Sequence, residues 1–137
     1  MKVDEIVHRV RERSRRLASG LPVAHPPLGS DFSLNGVTQA PETWRPAAVL
    51  VPLVRRAGGT TVLLTQRTDD MPSHAGQIAF PGGRIETADA NPFQAALREA
   101  HEEVGLNPAL VQVLGHLPTY TTGSAFIITP VVALVDP

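Results

Sequence analysis

The segment ANPFQAALREAHEEVGLNP, residues 90–108, limits the fold more than any other, because both of its ends are specified. Asn91 is a good N-cap, Pro92 suits a first helical position whose N–H has no partner anyway, and Gln94 stands where a capping box places Gln or Glu. Gly105 supplies the residue that closes a helix, and Pro108 lies just beyond it. A helix over Pro92–Val104 follows. On either side lie β-branched and apolar runs: PAAVLVPLV (46–54) and TTVLLTQR (60–67) before it, LVQVLGHL (110–117) and AFIITPVVALV (125–135) after it. A capped helix set between strands is an α/β arrangement.

The remaining segments are read around this frame. RRAGG joins the first two runs as a hairpin turn, GQIAF (76–80) reads as a short strand, and PGG after it reads as a turn. The polar stretch PTYTTGS, which includes Tyr120, Thr121, Thr122 and Ser124, links the last two strands. Near the N-terminus Val3, Ile6, Val7, Val10 and Leu17 recur at helical spacing, with Arg9, Arg11, Arg13, Arg15 and Arg16 between them. This is an amphipathic helix whose basic face is read as solvated. From Ser19 to about Arg45, Pro, Gly, Ser and Asn dominate without a period, which is an irregular lead-in. Residues 1–45 are thus read as helix and lead-in, and residues 46–137 as the domain proper. Because the chain stops directly after a strong strand, that domain is expected to lack its C-terminal part.

Composition removes several functions. With 137 residues, 42% of them hydrophobic, and a formal charge of -1, the chain suits one domain with a modest core. Near-neutral charge and 4% aromatic content lack the basic, ring-bearing face of a nucleic-acid binder. There is no cysteine, so a disulfide, a thiolate metal site and a thiol nucleophile are all excluded, and any metal must be held by oxygen or imidazole. The charged N-terminus lacks the apolar core of a signal peptide, and no run approaches the roughly 18 apolar residues of a membrane span. A cytoplasmic protein with no membrane partner is expected. Lys2 is the only lysine, so binding of phosphate or carboxylate falls to arginine.

Three glutamates, Glu99, Glu102 and Glu103, lie within five positions of the helix. At about 100° per residue, Phe93, Leu97, Ala100 and Val104 share one side and the glutamates fall on the other, as on any surface helix. Two penalties argue for more. Glu102 and Glu103 occupy the last turn, where the helix dipole disfavours anions by roughly 0.3–1 kcal/mol each, and Glu99 and Glu103 are a like-charge pair four residues apart. A divalent cation reverses both penalties, and carboxylates without cysteine suit Mg²⁺ or Mn²⁺ rather than Zn²⁺. The preceding FPGG (80–83) allows a sharp turn that brings backbone close to a ligand. Glycine turn, capped helix and carboxylate cluster, in that order, describe a metal-assisted phosphate site.

The stretch GGRIETADANPFQAALREAHEEVGL resembles the Nudix box. Arg98, Glu99, Glu102, Glu103, Gly105 and Leu106 match its second half, with Ala100 in place of a bulky aliphatic residue. From Gly83 to Arg98 the chain has one residue more than the general pattern, and its isolated acidic position is met by Asp89, or loosely by Glu86. A longer box is similar to that of the coenzyme A pyrophosphatase branch. Leu63, Leu64, Thr65, Arg67, Gly76, Phe80, Pro81, Gly82 and Gly83 match the upstream motif of that branch, while Thr68 and Pro72 depart from it, Pro72 replacing an arginine that Arg84 or Arg55 would then supply.

This resemblance implies a Nudix fold, a mixed β-sheet sandwiched between helices (α/β/α). It implies metal-dependent hydrolysis of a pyrophosphate bond in a nucleoside diphosphate derivative, coenzyme A or an acyl-CoA above all. Glu99, Glu102 and Glu103 would bind Mg²⁺ or Mn²⁺ with help from a Gly83 carbonyl, and Arg98 would orient the carboxylates. Arg67, Gly82, Gly83, Arg84 and His74 would meet the substrate, Arg67 at its phosphates. The general base is Glu102, Glu103 or a residue outside the box. The implied partner is a small nucleotide rather than a nucleic acid, and a homodimer is compatible with the reading. Two alternatives stand: a Nudix hydrolase for ADP-ribose, NADH or an oxidised nucleotide, which Pro72 favours, and a catalytically silent nucleotide-binding domain, which the intact glutamates disfavour.

Overall fold

The structure, a computed structural model, describes residues 3–18, 29–30, 44–66 and 76–137. Helix α1 is Val3–Ala18, and strand β1 is the dipeptide Gly29–Ser30. Then come β2 (Arg45–Arg56), β3 (Gly59–Val62), β4 (Thr65–Gln66), β5 (Ile78–Ala79), β6 (Gly82–Arg84) and helix α2 (Pro92–Val104). A 3₁₀ turn (Pro108–Leu110) leads to β7 (Val111–His116), β8 (Tyr120–Thr121) and β9 (Phe126–Val135).

The sheet is mixed. Its centre is the parallel pair β2 and β9, in register from Arg45 opposite Phe126 to Val54 opposite Val135. β3 and β6 run antiparallel along the other edge of β2, and β7 and β8 pair antiparallel with β9. β1 adds to β8 in parallel, while β4 and β5 form a separate two-stranded ribbon.

Both central strands are nearly continuous apolar runs because both of their faces are covered. On one face Ala48, Leu50, Val131 and Ala133 pack against Ala95, Ala96 and Ala100 of α2. On the other, Leu53, Leu114, Val132 and Leu134 receive Ile6, Val7 and Val10 of α1. The expected α/β/α layering is therefore present. α1 comes close to the sheet at Gly115, where Ser14 Oγ accepts the His116 backbone N–H at 3.2 Å.

Two local expectations are corrected. TTVLLTQR is not one strand: β3 ends at Val62 and Thr65–Gln66 turns away into the ribbon. The Leu63 N–H still reaches the Pro52 carbonyl at 3.2 Å, but Pro52 has no N–H to return, so the ladder stops there. The PGG segment is not simply a turn, since Gly82–Arg84 pairs with Ala47–Val49 and occupies the edge of β2 that β3 leaves open. Within the lead-in the described residues are Gly29–Ser30, a strand, and Trp44 and Arg45, where β2 begins. No described helix is long and apolar enough to cross a membrane.

Candidate active site

Helix α2 is held at both ends as its sequence requires. Asn91 Oδ1 accepts the Gln94 N–H and Gln94 Oε1 accepts the Ala90 N–H, each at 2.9 Å. Gly105 takes the left-handed conformation at φ 68°, and its N–H reaches the carbonyls of Ala100 and His101. The start, end and rotation of the helix are thereby set, and the rotation decides where the carboxylates lie.

The face of α2 against the sheet is made of alanines, and this corrects the sequence reading. Fully buried Ala95, Ala96 and Ala100 form its centre, with Phe93 and Leu97 partly buried against it, so of the expected residues only Ala100 is central. Small side chains let the helix approach closely. Glu99 and Glu103, four residues apart, then line strand β6. Glu99 consequently does not point away from the core; its side chain is only 16% exposed.

The two glycines of β6 fit this row. A Cβ on Gly83 would stand 2.7 Å from Glu99 Cδ, so the carboxylate lies directly over the Gly83 Cα. The Gly82 N–H points to Glu103 Oε2 at 3.4 Å. Glu102 projects outward and is 56% exposed. Among the described residues no three His, Asp or Glu side chains are grouped to hold a metal ion as they stand. The carboxylates form an open row, all oxygen in donor type, which is the chemistry of a hard cation that keeps part of its water.

Arg98 ties the site together. Its Nε and Nη2 donate to Asp89 Oδ1 and Oδ2 at 3.0 and 2.9 Å, a two-point fork. Nη1 donates to Glu99 at 3.0 Å and to Glu102 at 3.3 Å, and Nη2 also reaches the Arg84 carbonyl at 3.1 Å. Glu86 stands 3.7 Å from the same guanidinium. Of the two acidic residues left open by the sequence, Asp89 thus makes the close contact. Glu86 and Asp89 close a turn, where the Glu86 N–H donates to Asp89 Oδ2 at 2.8 Å and the Asp89 N–H to the Glu86 carbonyl at 3.0 Å. Hydrogen bonds from Arg98, then from the Glu86 N–H, hold the Asp89 carboxyl below its ordinary value of 3.8, against a smaller opposing effect of burial. The Asp89 bond, and after it that to Glu99, shifts the Arg98 guanidinium upward, so it stays charged.

Arg84 sits at the site by its backbone only. Its guanidinium passes to the other face of the sheet and lies 5.7 Å from the Phe126 ring centroid. Arg45 lies over the same ring at 4.1 Å. Neither Arg45 nor Phe126 stood out in the sequence; the only signal was a charged residue opening an apolar strand. Arg67 and His74, both expected at the substrate, lie outside the described residues, as do Thr68 and Pro72.

A model of the NUDIX domain matches residues 44–132. The chain belongs to the Nudix family. Over 93 residues it is 50% identical to a Nudix hydrolase named NudL from Enterobacter sp. (strain 638), an overlap of 68% of this chain and 48% of the relative. NudL from Shigella flexneri is 46% identical over 101 residues, which is 74% of this chain and 52% of that protein. The chain therefore spans about half the length of the curated relatives it matches. Among solved structures it is similar to the Nudix hydrolase RenU of M. smegmatis, with a TM-score of 0.57 and 28% identity over 68% of this chain and 62% of that one. Nudix hydrolases act on pyrophosphate bonds, bind small nucleotide substrates and generally need divalent metal ions. The segment from Gly82 to Leu106, in which the sequence pattern was read, lies within the matched domain.

Proposed function

We propose that this chain carries the catalytic machinery of a cytoplasmic Nudix pyrophosphohydrolase. Its substrate is coenzyme A or an acyl-CoA, cut to 3′,5′-ADP and (acyl-)4′-phosphopantetheine. The observation that carries the reading is the Arg98 hub, which joins Asp89 to Glu99 and Glu102 beside the glycine strand.

In this reading Glu99, Glu102 and Glu103, with a carbonyl of Gly82–Gly83, hold Mg²⁺ or Mn²⁺. A divalent ion supplies charge against the pyrophosphate oxygens and lowers the pKa of the attacking water. The chain's own contribution is orientation. Asp89 fixes the Arg98 guanidinium at two points, and Arg98 in turn holds Glu99 and Glu102. Gly83 leaves room for the Glu99 carboxylate at the strand, and the Gly82 N–H steadies Glu103. Arg67 and His74 are assigned to the substrate on the motif alone, as is the choice of coenzyme A, which rests on Leu63, Leu64, Thr65, Arg67, Gly76 and Phe80 through Gly83 at that branch's spacing.

The test is chromatographic product analysis after incubation with Mg²⁺ or Mn²⁺ and, separately, coenzyme A, ADP-ribose, NADH and an oxidised nucleotide. Release of 3′,5′-ADP from coenzyme A, lost in Glu102→Gln, is the expected result. Cleavage of another substrate instead moves the chain to a different Nudix branch, with Pro72 as the reason. No cleavage of any sinks the enzymatic reading of this chain.

A further inference from the structure

The arginines on either side of Ala47 meet very different surroundings. Arg98 engages Asp89, Glu86, Glu99 and Glu102. The guanidinium of Arg84 meets the Phe126 ring, and that of Arg45 meets the same ring and the Ser124 carbonyl. No described carboxylate pairs with either. One cation over a ring is an ordinary stabilising contact. A second cation brought to the same ring adds like-charge repulsion, which an anion between the two guanidiniums would relieve.

Sheet register explains how they converge. Arg45 is opposite Phe126 and Arg84 is opposite Ala47, so all four side chains share one face, the one away from α2. Ala47 is small enough for Arg84 to reach across β2 to Phe126. α1 covers this face only at its other end, around Leu53, Val132 and Leu134. The turn that feeds Phe126 is also strained: Ala125, which is not glycine, sits at φ 67°. Such a conformation is costly for a residue with a Cβ and collects at functional positions. It is pinned by the Arg45 N–H on the Ala125 carbonyl at 2.8 Å and the Ala125 N–H on the Thr122 carbonyl at 3.2 Å.

We propose that Arg45 and Arg84, gathered on Phe126, form a second anion site that takes a phosphomonoester of the substrate, apart from the diphosphate that is cut. Arg84 links the two sites, since its carbonyl receives Arg98 while its guanidinium serves the second. The assignment rests on the coenzyme A reading, because that substrate carries a ribose 3′-phosphate besides its diphosphate. Two guanidinium forks suit a phosphate dianion.

The test compares binding of 3′,5′-ADP and 5′-AMP to the full chain by isothermal titration, in EDTA and phosphate-free buffer; among their phosphates, only the 3′ one differs. About tenfold or tighter binding of 3′,5′-ADP is expected, with the ratio falling toward one in Arg84→Gln. Arg45→Gln should move the same way, but it also removes a bond to the Ser124 carbonyl, so Arg84→Gln is the cleaner variant. No preference in the unsubstituted protein, or a preference that survives both substitutions, overturns the site. Mg²⁺-dependent release of 3′,5′-ADP from coenzyme A is measured separately. Failure there with an intact binding ratio removes the substrate reading and leaves the site.

Discussion

Asp89 and Arg98 meet through two hydrogen bonds of 3.0 and 2.9 Å, with the Asp89 side chain only 6% exposed and that of Arg98 25% exposed. A carboxylate in the turn before the helix thereby fixes a guanidinium whose remaining N–H groups face Glu99 and Glu102. Asp89→Asn removes the charge and one end of the fork while keeping the shape. Partners that orient a site from behind typically change activity about 10–100-fold, and a fall of that size in kcat, with far-UV circular dichroism unchanged, is expected. Asp89→Glu should recover only part of it, because the turn from Glu86 is built for the shorter side chain. Full activity in Asp89→Asn would show that Arg98 is held well enough by the glutamates alone.

The same pair gives a pH dependence. Asp89 titrates below its ordinary value in the folded state, so its ionised form stabilises the fold above the unfolded value and the stabilisation disappears as pH falls through the folded one. The difference in urea midpoint between wild type and Asp89→Asn should therefore hold steady from about pH 7 to about pH 4 and narrow below that, as wild-type Asp89 becomes neutral. A difference that persists unchanged into strong acid would mean that shape, not charge, carries the contact.

The neighbouring glycines should fail in opposite ways. On Gly82 a Cβ would meet backbone, 2.4 Å from the Ala48 carbonyl oxygen and 2.7 Å from Val49 Cα. The strand itself must move, and Gly82→Ala should lower stability by about 1–3 kcal/mol. On Gly83 the obstacle is the mobile end of Glu99, 2.7 Å away. Gly83→Ala should unfold at nearly the same urea concentration, yet lose up to about 100-fold in kcat as the carboxylate is displaced. In a Glu99→Gln background the further loss should nearly vanish, since both changes act on one group. Additive losses in the double variant would place the effect of Gly83 elsewhere.

What the sequence made legible follows the range of the forces involved. The limits of α2 were readable because Asn91, Gln94 and Gly105 act within a turn of the ends they define. The hairpin of β2 and β3, and the long strand β9, were readable from β-branched and apolar runs, those of β2 and β9 being largely buried. The rotation of α2 was not: it depends on which side chains are small enough to let the sheet approach, and Ala95 and Ala96 look neutral in a hydrophobic pattern. Glu99 was therefore read as facing away when it lies over Gly83. The break after Val62 was missed because its cause, the absent N–H of Pro52, sits on the partner strand. Arg45, Arg84 and Phe126 come together only through the register of β6, β2 and β9, which no local pattern encodes.

The seam between α1 and the sheet offers a last test, well away from the carboxylates. Gly115 lies at φ 153°, and a Cβ there would stand 2.5 Å from Ser14 Cβ and Oγ. Any side chain both strains the backbone and strikes the helix, and the His116 N–H bond to Ser14 is lost as α1 moves off. Gly115→Ala should thus loosen α1 before the sheet gives way, because among the described residues α1 meets the sheet at Ile6, Val7, Val10 and this contact. Trypsin reports this directly, since Arg9, Arg11 and Arg13 sit on the exposed side of the helix. Cleavage among them should speed up markedly in Gly115→Ala while kcat, which depends on the opposite face, stays near wild type. Ser14→Ala, which loses only the hydrogen bond, should cost about 1 kcal/mol and expose the arginines less. Equal protease resistance in Gly115→Ala would mean that the strand yields and the helix keeps its seat.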